Sequence, residues 1–337
     1  MTHESLAHQF TGCLIGQALG DALGFSVEGE PPEVCRRYVE EVLRPSRAGR
    51  AARFSFSPGQ YTDDTQLARE LMRSLVERRG FAPEDYAARI AALFNEGRVV
   101  GRGYATDQAA RRLARGVPWD QAGTPPPSAG NGTAMRAAPV GLFYFDDPQE
   151  MLRVAHEQGY ITHHDRRCSA GSIAIAGAVA LALQEGRLDV GPFVGQLAEW
   201  ARPWDEALAD GIEGLPGWVA LPPDQAAAST GRVGLPADFR DGGWQGISPF
   251  VTTSVLWSLY AFLRTPDDYW ETVCTAIAVG GDVDTTAAMA GAISGAYLGL
   301  GAIPKSLTRG LTDAGTWGYD ELVALAEDCH RVATGGQ

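Results

Sequence analysis

Apolar positions recur at helical spacing along most of this chain. Leu67, Leu71 and Leu75 repeat every fourth residue directly after an acidic cluster, predicting a helix with one buried face. Pro83 introduces the periodic run 84–94, and Pro148 introduces Leu152, Val154 and Ala155. Proline suits the first helical position, where no N–H is required. Residues 170–183 are alanine-rich and apolar nearly all round, as expected of a helix buried on every side. Runs 250–263 and 272–279 read the same way, and 319–332 reads as a closing helix. Residues 285–300 place small side chains at Ala288, Ala292, Gly295 and Gly299, a surface that lets another helix approach. Alternating strand patterns are scarce, and 14–15 and 140–145 are too brief to specify any. The expected fold class is all-α.

Gly12, Gly16, Gly20 and Gly24 stand at every fourth position, which predicts a helix face packed tightly against a neighbour. Asp21 interrupts that segment as a cap or brace for nearby backbone. Glu28 follows just beyond it, placed to act as a ligand, base or gate. Segments 123–132 and 211–246 are rich in glycine and proline and read as long loops. Neither divides the chain, because acidic clusters on either side of both are expected to converge. One domain over 1–337 is therefore expected.

Composition narrows the class. A length of 337 residues with 45% hydrophobic and 20% charged content is ordinary for a globular protein with a large core. The formal net charge of -13 argues against a protein that coats nucleic acid, since no basic stripe exists to meet phosphates. Bound cations would still permit an anionic small ligand. The five cysteines are scattered, without a Cys-x-x-Cys pair, so a reducing cytoplasmic setting is expected. The start of the chain lacks a signal-peptide pattern, and its apolar runs are too short for a bilayer, which takes roughly 20 residues.

The candidate chemistry lies in two clusters, Thr62-Asp63-Asp64-Thr65 and Asp282-Val283-Asp284-Thr285-Thr286. Carboxylates and hydroxyls are oxygen ligands for hard divalent cations. Asp and Thr are also ordinary helix caps, so either cluster alone could simply start a helix. Together they carry more acid than caps require. Gly130-Asn131-Gly132-Thr133 is a turn whose amides could cradle a phosphate, although it is not a Walker loop. Gly103-Tyr104 is either a plain turn or the border of a ligand site. His163 and His164 are adjacent and point in different directions, which disfavours zinc ligation by both. Residues 243–250 supply Trp244 and Phe250, either as pocket wall or as core beneath a loop. A Gly-x-Ser-x-Gly elbow is absent.

The ordered set of motifs resembles the ADP-ribosylglycohydrolase family, which includes the dinitrogenase reductase-activating glycohydrolase and the ADP-ribosylarginine and ADP-ribosylserine hydrolases. The matching stretches are 16–24, 61–65, 130–136, 162–163, 280–286, 290–292 and 295–299. The resemblance implies a helical fold with a binuclear Mg²⁺ or Mn²⁺ centre held by Thr62, Asp63, Asp64, Asp282, Asp284 and Thr285. It implies ADP-ribose contacts from Gly103, Tyr104, Gly130, Asn131, Gly132, Thr133 and His163. Glu28 and Asp63 are the candidate proton-transfer groups. The expected partner is an ADP-ribosylated protein or a small ADP-ribose adduct, mono-ADP-ribosyl and arginine-linked in preference to polymer. Segment 211–246 matches no single subfamily and leaves the target open.

Three other readings remain at this point. A terpene-synthase-like enzyme would normally carry Asp-Asp-x-x-Asp, whereas Leu67 stands where its third acid belongs. A metallophosphatase usually adds histidine ligands. A non-catalytic ADP-ribose-binding or crystallin-like member would not require intact metal ligands.

Overall fold

The computed structural model describes residues 3–45, 59–183, 187–235 and 243–335. Among them the chain is helical, with isolated bridges and no sheet, as the periodicity predicts. α1 (His3–Phe25) leads through α2 (Pro32–Tyr38) and a π-helical stretch at Val39–Leu43 to α3 (Asp63–Arg78) and α4 (Pro83–Asn95). α5 (Tyr104–Leu113), α6 (Ala138–Phe143), α7 (Pro148–Tyr160) and α8 (Arg166–Ala182) follow. Next come α9 (Val190–Ala201), α10 (Glu206–Val219), α11 (Pro223–Thr230) and α12 (Val251–Arg264). α13 (Tyr269–Ala278), α14 (Val283–Leu298), α15 (Lys305–Thr308) and α16 (Tyr319–Ala333) complete the chain.

Three helices form the centre. α8 is buried along nearly its whole length, as its alanine-rich composition predicts. α1 and α14 run antiparallel at unusually close range. A Cβ on Gly12 would sit 2.4 Å from the Gly295 carbonyl oxygen, and one on Gly16 2.4 Å from that of Gly291. On Gly20 it would meet the Ala287 carbonyl at 2.2 Å, and on Gly24 that of Val283 at 2.4 Å. Of the small residues expected to allow an approach, Gly295 and Gly299 do meet α1 at Gly12, whereas the rest of the contact row on α14 passes through Val283, Ala287 and Gly291 instead of Ala288 and Ala292. This packing matters for function because it carries Asp21 and the end of α1 to the N-terminus of α14.

The same packing makes a prediction whose sign opposes helix propensity. Propensity alone favours alanine over glycine by about 1 kcal/mol. At Gly20 the added methyl would force two backbones apart, and overpacking costs roughly 1–3 kcal/mol. Gly20→Ala should therefore lower the urea midpoint without changing helical content by circular dichroism. An equal or higher midpoint would contradict the close-packed interface.

The segment 211–246 is not the long loop expected. Its first part is α10 and α11, while 236–242 lie outside the described residues. Leu208, Ile212 and Leu215 are buried at helical spacing and Gly211 lies against Leu256, so helix packing overrides the glycines and the internal Pro216. α5 begins at Tyr104, with Gly103 in the cap position.

A buried network steadies the start of α3. Gln66 donates to Asp313 and to the Arg98 carbonyl, and its side-chain oxygen accepts from the Val100 amide. The Val100 carbonyl in turn accepts from the Asp63 amide at 2.7 Å. Arg69 pairs with Asp313 at 2.7 Å beneath the ring of Trp317. Loop 98–103 is thereby latched beside the first acidic cluster.

Candidate functional site

The starts of α3 and α14 line one cavity of about 370 Å³. Five carboxylates face it: Glu28, Asp63, Asp64, Asp282 and Asp284. The two acidic clusters therefore do converge. Each stands in the first turn of its helix or in the cap position before it, where exposed N–H groups favour negative charge. Gly280 and Gly281 set the approach to α14 with φ of +76° and +87°, and a Cβ on Gly281 would fall 2.2 Å from the Ile247 carbonyl oxygen. The Gly29 amide donates to the Gly281 carbonyl and the Gly281 amide to the Glu30 carbonyl, which ties the Glu28 turn to the second cluster.

Two sets of carboxylate oxygens come within 4.8 Å of one another, Asp21 with Asp64 and Asp284, and Glu28 with Asp282 and Asp284. Asp284 belongs to both sets. Burial pushes the Asp64 and Asp284 carboxyls well above the usual range, and their acidic neighbours push them further. Asp282 is raised to about 6 by burial, despite accepting from the Asn131 side chain. Asp64 Oδ1 is buried and makes no hydrogen bond among the described residues. A crowded, desolvated set of carboxylates with an orphaned oxygen fits divalent cations by charge, hardness and ligand number.

Asp21 was expected only as a cap or brace, and it does brace. It accepts from the Thr62 and Thr65 amides at 2.9 and 3.0 Å, and from both their hydroxyls. Burial still lifts its carboxyl to about 7, outweighing those bonds. It also belongs to one convergent set, which the chain signals only by its place on the glycine-rich face of α1. Thr62 stands apart from the cavity wall. Its hydroxyl lies 2.9 Å from Asp21 and 3.0 Å from Asp64, and it accepts from the Asp64 amide as the cap of α3. Asp63 lines the cavity outside both sets, turned toward Gly101 and Gly103. Thr285 lines the wall, and its amide donates to Asp284.

The same cavity is also lined by Gly103, Tyr104, Gly130, Asn131, Gly132 and His163. Tyr104 is 73% exposed, so one face is open to a ligand. Asn131 is already committed, its amide to the Pro249 carbonyl and its side chain to Asp282. Thr133 departs from the expected ligand contact. It is fully buried off the cavity wall, and its hydroxyl donates to the Cys168 carbonyl because the turn needs that anchor against α8. The turn thus presents Gly130 and Gly132 beside His163, where a Cβ on Gly132 would come 3.1 Å from the imidazole Cε1. His164 points elsewhere and stacks on Tyr160, as adjacent histidines on an extended segment must. Trp244 and Pro249 form the rim, and Arg102 is the one arginine or lysine among the described lining residues. Phe250, weighed alongside Trp244, is buried and does not line the wall.

All five cysteines are free and buried, and no helix among the described residues is long and apolar enough to cross a membrane.

Comparison with known proteins finds relatives along the whole chain. Human ADP-ribosylhydrolase ARH3 is 31% identical over 354 residues, covering 96% of this chain and 93% of that protein. The ADP-ribosyl-[dinitrogen reductase] glycohydrolase of Rhodospirillum rubrum is 27% identical over 309 residues, covering 90% of each. A solved structure named ADP-ribosylglycohydrolase-related protein complex superposes with a TM-score of 0.74 at 30% identity, over 98% of this chain and 99% of that one. The profile of the family described as ADP-ribosylglycohydrolase matches residues 2–337. Because that match spans the helical frame and both acidic clusters rather than one segment, the chain belongs to the ADP-ribosylglycohydrolase family.

Proposed function

We propose that this protein hydrolyses the glycosidic bond at C1″ of a mono-ADP-ribosyl adduct, arginine-linked adducts among them, and releases ADP-ribose. The observation that carries this reading is the joining of two carboxylate clusters and a glycine–histidine wall in one cavity. Asp21, Asp64, Asp282 and Asp284 would hold two Mg²⁺ or Mn²⁺ ions, with Thr62 and Thr285 supporting them from the edge. The ions would supply Lewis acidity and fixed positive charge for ribose hydroxyls, in a cavity otherwise rich in acid.

In the reaction the C1″ bond to the leaving nitrogen or oxygen breaks, and its electron pair stays with that atom. Water oxygen adds to C1″ through a transition state of oxocarbenium character. One water proton passes to a carboxylate, and the leaving atom takes up a proton. Glu28, half-buried at the cavity edge, is the candidate acceptor. Asp63, on the cavity wall beside Gly101 and Gly103, is the candidate donor of a proton to the leaving atom. Gly130, Gly132 and His163 would receive the diphosphate, with Tyr104 and Gly103 bordering the ribose.

Substrate choice follows from charge. A polymer would need an extended basic track, whereas the cavity wall holds one arginine, so single adducts are the expected substrates. The deciding assay is release of ADP-ribose from ADP-ribosyl-arginine, ADP-ribosyl-serine and poly(ADP-ribose), each with Mg²⁺, with Mn²⁺ and with chelator. Faster release from the polymer than from the arginine adduct would reject the preference, and no release from any would reject the enzyme reading.

The wall makes its own prediction. Gly132→Val should weaken ADP-ribose binding by at least about tenfold, since branched carbons would crowd the His163 ring and the Thr106 hydroxyl. Mn²⁺ affinity should stay within about twofold. Calorimetry showing unchanged ADP-ribose affinity would count against the assignment of this wall.

A further inference from the structure

Arg136 is buried completely, directly behind the glycine–histidine wall. Its Nε donates to the Gln158 side-chain oxygen at 2.8 Å, and Nη2 to the Gln158 carbonyl at 2.9 Å. Nη1 finds no partner among the described residues, and the charge lies over the Tyr86 ring at 5.6 Å. Burying a cation against a ring and neutral acceptors is costly. Holding the turn before α6 to α7 through Gln158 accounts for two of its bonds. The third goes to the Thr162 hydroxyl at 2.8 Å, and that hydroxyl lies 2.8 Å from His163 Nδ1.

The Thr162 hydroxyl has two possible acceptors, His163 Nδ1 at 2.8 Å and the Gly159 carbonyl at 3.3 Å. The Gly159 carbonyl already accepts from the Thr162 and His163 amides, both at 3.0 Å, so its two lone pairs are taken. Arg136 occupies the acceptor side of the hydroxyl and orients its proton away from the guanidinium. Nδ1 is therefore an acceptor, and the ring proton sits on Nε2. That nitrogen faces the cavity, 3.6 Å from a Cβ built on Gly132 and 3.7 Å from one on Gly130.

We infer that Arg136, acting through Thr162, is a positioning residue that holds His163 as a neutral imidazole with its proton on Nε2, presenting a fixed N–H donor to a phosphate oxygen. The ligand named rests on the proposed ADP-ribose pocket, whereas the tautomer does not. Charged or titratable groups acting on His163 are Arg136, Asp165 and His164, and Asp165 is itself paired with Arg167 at 2.7 Å. Burial, then Arg136, lowers the imidazole to about 3. The ring should thus stay neutral across the range in which an ordinary histidine titrates.

Two-bond ¹H–¹⁵N correlation spectra of the full chain labelled at histidine, assigned with His163→Gln, test this. The expected pattern is the Nε2–H tautomer, unchanged from pH 5 to 8. Thr162→Val should produce a tautomer mixture and weaken ADP-ribose binding by about tenfold, the scale of one neutral hydrogen bond. Thr162→Ser should restore both. If Arg136 and Thr162 only brace the fold, Thr162→Val will lower stability and leave the tautomer as it was, which overturns the inference. An Nδ1–H pattern in the unmodified protein also overturns it. The expected tautomer without ADP-ribose binding would sink the proposed function while leaving the relay standing.

Discussion

Asp284→Ala should abolish release of ADP-ribose while raising the thermal midpoint of the cation-free protein. Asp284 is the carboxylate common to both convergent sets, so its loss removes a ligand from each. A decrease in kcat of at least about 10³-fold is expected, the scale of losing a preorganised electrostatic element. The opposite effect on stability follows from crowding. The Asp284 carboxyl is raised well above the usual range by burial, and then by Glu28, Asp282, Asp64 and Asp21. Deleting one member of such a group relieves repulsion among the rest. Assays with Mn²⁺ and calorimetry in chelator separate the two effects. Retained turnover, or a fall in the cation-free midpoint, would refute this account of the cluster.

Cation removal should reverse the usual dependence of stability on pH. Asp282 and Asp21 are raised to about 6 and about 7 in the folded state, against about 3.9 for an unfolded aspartate. A raised carboxyl binds its proton more tightly when folded. Its contribution is fully present below about pH 4 and is lost as pH rises through the folded values. The cation-free protein should thus melt lower at pH 8 than at pH 5. Asp85 works in the other direction. It is lowered to about 2, where bonds from Arg89 and Arg78 prevail over burial, and it contributes only above the usual aspartate range. Stability in chelator should therefore peak near pH 4–5. At pH 7.5, Mg²⁺ or Mn²⁺ at about 100 times Kd should restore about 2.7 kcal/mol for each ion bound. A midpoint that stays level or climbs from pH 5 to 8 in chelator would mean the carboxylates are not crowded as the structure has them.

The helices were legible where burial is one-sided or complete. Leu67, Leu71 and Leu75 mark α3, and the alanine run marks α8, because apolar period reports burial directly. In segment 211–246 composition and packing disagree. Glycine and proline dominate its composition, but Leu208, Ile212 and Leu215 still bury one face of α10. The glycine stripe of α1 was legible as close packing, and Gly295 and Gly299 do meet it, yet the rest of the contact row on α14 runs through Ala287 and Gly291 instead of Ala288 and Ala292. Small residues are frequent all round α14, so composition could not choose among its faces.

Residue type and spacing singled out Asp63, Asp64, Asp282 and Asp284 as candidates, because so much acid at two helix starts exceeds any capping need, and all four line one cavity. The separate duties of neighbouring residues were not legible. Thr62 and Thr285 carry the same hydroxyl, but one caps a helix behind the cavity and the other lines it. Thr133 and Gly132 are adjacent, but one anchors the turn to Cys168 while the other faces His163. A backbone turn sends successive side chains in different directions, and local sequence does not state which direction is the cavity.

Sequence alone therefore determined the all-helical class, the two acidic clusters and the family likeness, since each depends on local period or on residue type at fixed spacing. The tertiary structure decided that Asp21 joins the carboxylate group, that Asp63 turns from it toward Gly101, and that Arg136 stands behind His163. These assignments depend on how closely α1 approaches α14 and on which buried acceptors are already filled, and both are set by contacts between residues far apart in the chain.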